Sequence, residues 1–111
     1  MIKIRVEPGE EVLKVLTSGI QARGINEAAI VALIGAVDEF CISNMPKDNA
    51  LKDIITEYSQ PAELSGTGAI SGGKVHLHVV LGQEDHSTLS GHLHWAKVNS
   101  WFVEAFIVPL E

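Results

Sequence analysis

Ala62-Glu63-Leu64-Ser65-Gly66-Thr67-Gly68-Ala69-Ile70-Ser71-Gly72-Gly73-Lys74-Val75-His76-Leu77-His78-Val79-Val80-Leu81 reads as strand, turn, strand. A glycine pair between two such runs is a hairpin signal, because tight turns between twisted strands need backbone angles that glycine adopts without strain. Successive side chains of a strand point to opposite faces, so His76 and His78 share one face and Leu77 takes the other. The pattern recurs at His92-Leu93-His94, beyond a polar loop over 82–90 that contains His86. All five histidines of the chain therefore lie in one short segment. Two His-x-His pairs on neighbouring segments can offer three or four imidazole nitrogens to one ion, and neutral imidazole is the commonest protein ligand for Zn²⁺ and its relatives. The plainer alternative is a set of surface or loop histidines in ordinary hydrogen bonds.

Outward from this hairpin, the chain alternates strand patterns with one helical pattern. Ile2, Ile4 and Val6 against Lys3, Arg5 and Glu7 have a period of two, hence a half-buried strand that Pro8-Gly9 breaks. Val12, Leu13, Leu16 and Ile20 recur at helical spacing after Glu10 and Glu11, whose charge suits a first helical turn. Gly24 after Arg23 reads as a stop, so an amphipathic helix is predicted over about residues 10–23. Residues 28–37 are almost wholly apolar, the pattern of a strand buried on both faces, with a helix as the competing reading. Gly35 marks a bulge or kink there, and pairing resumes through Glu39-Phe40-Cys41-Ile42. Residues 44–49 form a loop, residues 51–58 are ambiguous between short helix and strand, and residues 99–110 close the chain as a strand. Five or more strands with helix on one face make a two-layer α+β design.

The 111 residues suit a single domain. A hydrophobic fraction of 46% is high for so small a protein and hints at apolar surface buried between subunits. No apolar run approaches the ~18–20 residues that span a bilayer, and the alternating amino terminus is unlike a signal peptide. A lone cysteine, Cys41, in an apolar stretch reads as a buried small hydrophobe and fits a reducing compartment. A cytoplasmic protein is expected. The net charge of −6, with eight basic residues scattered among fourteen acidic ones, opposes duplex binding, which rests on Lys and Arg at phosphates.

The ordered set Glu63-Leu64-Ser65-Gly66-Thr67-Gly68, a glycine turn, His76-Leu77-His78, a polar loop, Gly91-His92-Leu93, then Val98 and Glu104 resembles the PPC domain, the plants and prokaryotes conserved domain. Arg5, Pro8-Gly9-Glu10 before a helix, and Ile34-Gly35-Ala36-Val37 extend the likeness over nearly the whole chain. Three departures stand out: Ser90 where the family usually has a glycine before Gly91-His92-Leu93, Ala96 where glycine is common, and a divergent segment 44–58. The resemblance implies a mainly antiparallel sheet and a homotrimer. It also implies, as in some stand-alone prokaryotic members, a metal ion, typically zinc, held by clustered histidines. By position in the motif the ligands are His76, His78 and His92, with His94 next. Plant members join the domain to AT-hooks that bind A·T-rich DNA; these residues contain none, so direct DNA binding is not expected.

Three imidazoles on Zn²⁺ would leave a fourth position for water or an acidic ligand. Glu63 and Glu104 are candidate carboxylates to orient an imidazole through its other N–H, against the alternative of solvated or structural strand residues. His86, beside Glu84 and Asp85, reads as solvated. Competing functions are a small zinc hydrolase or lyase using the same cluster, and a DNA-associated or protein-interaction module. The sequence has no His-Glu-x-x-His helix, Gly-x-Ser-x-Gly elbow or phosphate loop. Trp95 and Trp101 are candidates for a partner surface, or for packing in the core or between subunits.

Overall fold

The structure is a computed structural model that describes residues 1–110. Those residues form eight strands and one helix: β1 (Ile2–Val6), α1 (Val12–Ala22), β2 (Ala28–Val37), β3 (Glu39–Asn44), β4 (Ile54–Tyr58), β5 (Ala62–Ser71), β6 (Lys74–Gly82), β7 (Thr88–Lys97) and β8 (Val103–Pro109). The strands make one sheet in the order β1-β8-β2-β5-β6-β7-β3-β4, antiparallel at every pairing. This is the α+β architecture expected, with α1 packed on the sheet.

The helix begins later than its charge pattern suggests. Glu11 has an extended backbone, and its carboxylate accepts from the N–H groups of Leu13 and Lys14, so it is the N-cap and not a first-turn residue. The same carboxylate accepts from the Ala96 N–H, which ties the helix entry to β7. Glu10 is spent on the Glu7 N–H. At the other end Gly24 N–H donates to Gln21 and Ile25 N–H to Ile20, with Gly24 at φ +66°, a Schellman stop at the expected glycine. Val12, Leu16 and Ile20, four residues apart, form the buried stripe and pack toward β1, β6 and β7.

The sheet curls around this helix. Beyond β1 the chain reaches the end of β7, where Gly9 N–H donates to Val98 and Val98 N–H to Glu10, although β1 and β7 are not neighbours in the sheet. Val6, Leu33, Phe40, Leu77, Leu81, Leu93 and Ile107 fill the enclosed core. β2 is a strand, but the expected burial on both faces does not hold. Val31 and Ile34 point away from the helix and stay exposed, because none of the described residues covers that face. The bulge in β2 falls between Ile30 and Leu33, not at Gly35. Gly35 instead marks the place where the Phe102 carbonyl crosses the strand and accepts from Ala36 N–H. The ambiguous 51–58 segment resolves into edge strand β4, paired only with β3.

Candidate metal centre

The β5–β6 hairpin forms as read: Ser71 pairs with Lys74, and Gly72 and Gly73 both take positive φ, as a two-residue turn of this hand requires. Asn26 and Glu27 accept from the two turn N–H groups and anchor the hairpin tip to the chain before β2. On β6, Leu77, Val79 and Leu81 enter the core, which puts His76 and His78 on the outer face.

β6 and β7 pair from Gly82–Thr88 up to His78–His92 and then separate. The cluster sits where they part. His78 and His92 are directly opposite on the last rung, and His76 lies two residues further along β6 on the same face. One ring nitrogen from each of His76, His78 and His92 lies within 4.8 Å of the other two. The Nε2 atoms of His76 and His78 are 3.1 Å apart. Tetrahedral zinc with Zn–N bonds of about 2.0–2.1 Å holds its nitrogens about 3.3 Å apart. The His76–His78 pair is already close to that spacing, and a His92 ring nitrogen lies within 4.8 Å of both.

His92 is also poised chemically. Its Nδ1 is buried without a hydrogen-bond partner. Burial, then the neighbouring His76, His94 and His78, hold the ring below the usual histidine range, opposed by the Asp53 carboxylate. The neutral form with a free lone pair is favoured, which is the form a metal needs. An unpaired buried nitrogen costs about 1–3 kcal/mol, and a cation bound at the cluster would offset such a cost.

The structure places the other candidates elsewhere. A register shift on the β3–β7 pairing leaves His94 as the extra residue, since Cys41 opposes Trp95 and Ile42 opposes Leu93. The His94 ring still stands edge-on to His92, with centroids 4.8 Å apart, but its Nε2 is 2.8 Å from Ser43 Oγ. Ser43 is buried, so His94 satisfies a hydroxyl that would otherwise be stranded. Glu104, on β8, is bound by Lys3 and Arg5, each at 3.3 Å, and two strands, β2 and β5, lie between β8 and β6. Glu63 pairs with Gly82, at the far end of β6 from His76. It borders a shallow depression with Trp101 and Phe102. His86 sits in the exposed turn between β6 and β7. Cys41 is buried, and burial with the Glu57 charge pushes its thiol pKa up, so it is unreactive.

Two residues absent from the sequence-based set shape the site. An open cleft of about 410 Å³ runs from the three histidines to Asn44 and Asp53, at the end of β3 and in the loop before β4. Asn44 donates from Nδ2 to the Ser90 carbonyl and so fixes the rim beside His92. Gly91 faces that rim: a Cβ there would lie 2.6 Å from the Ser43 carbonyl oxygen. Ser90, the departure from the family pattern, is exposed and meets no such limit. Ala96 is fully buried, its methyl taken up by the core.

A curled antiparallel sheet around one helix, with histidines gathered where two strands diverge, defines a small α+β domain with a candidate metal centre. The chain belongs to the Plants and Prokaryotes Conserved (PCC) domain family, whose model matches residues 1–111. It is similar to a plant- and prokaryote-conserved protein from Pyrococcus horikoshii, with 28% identity, TM-score 0.88, and coverage of 99% of this chain and 78% of that one. It is likewise similar to a metal-containing protein from Archaeoglobus fulgidus, with 27% identity, TM-score 0.80, and coverage of 99% and 79%. A protein from Bacteroides thetaiotaomicron provisionally named as DNA-binding matches with 26% identity, TM-score 0.81, and coverage of 96% and 76%. Among curated proteins none matches the sequence.

Proposed function

We propose that this domain is a metal-binding module in which His76, His78 and His92 hold one divalent ion, zinc being the best suited to a three-nitrogen site. The observation that carries the reading is the convergence of three imidazole nitrogens within 4.8 Å, from two strands, beside a buried nitrogen with no partner. The metal-containing relative from Archaeoglobus adds support. A divalent ion there would supply a Lewis-acid centre facing the cleft. The chain's own part is to present neutral imidazoles, to keep His94 engaged with Ser43, and to hold the rim through Asn44. No reaction is assigned to the site.

The module works as a homotrimer in the cytoplasm. Support comes from the uncovered outer face, where Ile34 is 56% and Trp101 67% exposed and Val31 and Val80 lie bare. Apolar area of this kind on a 12.0 kDa domain favours association with further copies or a protein partner. No helix is long and apolar enough to cross a membrane among the described residues.

Chelation tests the metal reading. Protein stripped with a chelator melts lower, and zinc restores the wild-type midpoint, because a ligand that binds only the folded state stabilises it by about 2.7 kcal/mol at a hundredfold excess over Kd. A midpoint indifferent to chelator and zinc contradicts the assignment.

A further inference from the structure

Three neutral imidazoles bring no charge to a dication, so the field at the site depends on what else faces it. Asp53 lines the same cleft as His76, His78 and His92, from the loop between β3 and β4. Among the described residues no Lys, Arg or His forms a salt bridge with it; the ion pairs of the chain lie at Lys3 and Arg5, on the opposite edge of the sheet. Its carboxylate oxygens are not among the ligand atoms grouped within 4.8 Å, so it stands back from the imidazoles.

We propose that Asp53 is the anionic group of this centre, compensating the charge of the bound cation from across the cleft without ligating it directly. The inference rests on the reading of His76, His78 and His92 as ligands. An unpaired carboxylate facing a dication strengthens its binding and makes the cleft less hospitable to a second anion. The centre then retains its ion with an outward face selective for neutral over anionic small ligands.

Competition titration of Zn²⁺ against a chromophoric chelator, using the full chain, tests this with wild type, Asp53→Asn, Asp53→Glu and His78→Ala. Asp53→Asn should weaken zinc binding about tenfold, in the range expected for outer partners of a metal site. Asp53→Glu, which keeps the charge, should stay within about threefold of wild type. In the Co²⁺-loaded protein, azide should perturb the visible spectrum at lower concentration in Asp53→Asn than in wild type. Asp53 is exposed, so melting of the metal-free variant should match wild type. A wild-type zinc affinity in Asp53→Asn, or an equal loss in Asp53→Glu, overturns the proposal. If that occurs while His78→Ala releases the metal, only this inference falls; a wild-type chain that binds no zinc removes the ligand assignment as well.

Discussion

His92 shows how one residue can be set by its surroundings more than by its type. It occupies the last β6–β7 rung, half-buried, with one nitrogen unpartnered and other imidazoles on either side. The paired His-x-His spacing made the shared face of His76 and His78 readable, and the family motif pointed to His92. Nothing in the spacing distinguished His94, because a one-residue bulge turns its ring to Ser43, and bulges leave little mark in a sequence. Asp53 was equally hidden: it acts across a cleft, through space, from a segment with no periodicity. Asp38 carries a separate consequence. Its carboxylate accepts from Ser100 Oγ and from the N–H groups of Asn99 and Ser100. The Ser100 hydroxyl, with help from the two backbone groups and against burial, holds its pKa below the ordinary value. A carboxylate depressed in the folded state contributes stability that is present above its unfolded value, near pH 4, and is lost as pH falls through the folded one. Asp38→Asn should therefore lower the urea midpoint at about pH 7, and the difference from wild type should close as the pH falls below the carboxylate's lowered folded value. A gap that stays constant with pH contradicts this account of the loop before β8.

Among the elements, the β5–β6 hairpin carries the site, and its glycines explain themselves once the strands are paired. Gly68 opposes Leu77, and a Cβ on it would collide with the His76 carbonyl oxygen and press on the Leu77 side chain. The Gly66-Thr67-Gly68 sequence thus serves close strand approach and not a phosphate loop. Gly68→Ala should destabilise the fold by about 1–3 kcal/mol, the usual cost of overpacking, and should weaken metal binding because the obstructed backbone is that of His76. Denaturant melts with and without zinc check both effects; a neutral result contradicts the close approach of β5 to β6 at Gly68. The hairpin, α1, β1 and β8 were legible because alternation or helical period coincides with real burial on one face. β4 was not: it is a five-residue edge strand with almost no buried side chain, so it has no hydrophobic rhythm to detect. The start of α1 was misplaced for a similar reason, since a glutamate N-cap looks like a glutamate of the first turn.

At the scale of the molecule, the charge balance and the bare outer face pull in different directions. A net charge of −6 spread over the chain opposes an approach to nucleic acid, whatever the names of related proteins. Gel shifts with duplex DNA at low salt should show no complex, and binding that weakens steeply with added salt would reverse that conclusion. The uncovered face with Val31, Ile34 and Val80 was readable only as a high apolar fraction, because a continuous apolar run looks the same whether its second face meets a helix or another subunit. Light scattering should give a mass about three times the 12.0 kDa of the chain. Ile34→Asp should reduce it, and a wild-type monomer at micromolar concentration would contradict the assembly. The gathering of three imidazoles into one ligand set remains the centre of the account. Elemental analysis of purified wild type and His78→Ala, after equal exposure to zinc and desalting, tests it most directly. About one ion per wild-type chain and a small fraction of that in the variant is the predicted result; equal metal content in the two proteins would contradict it.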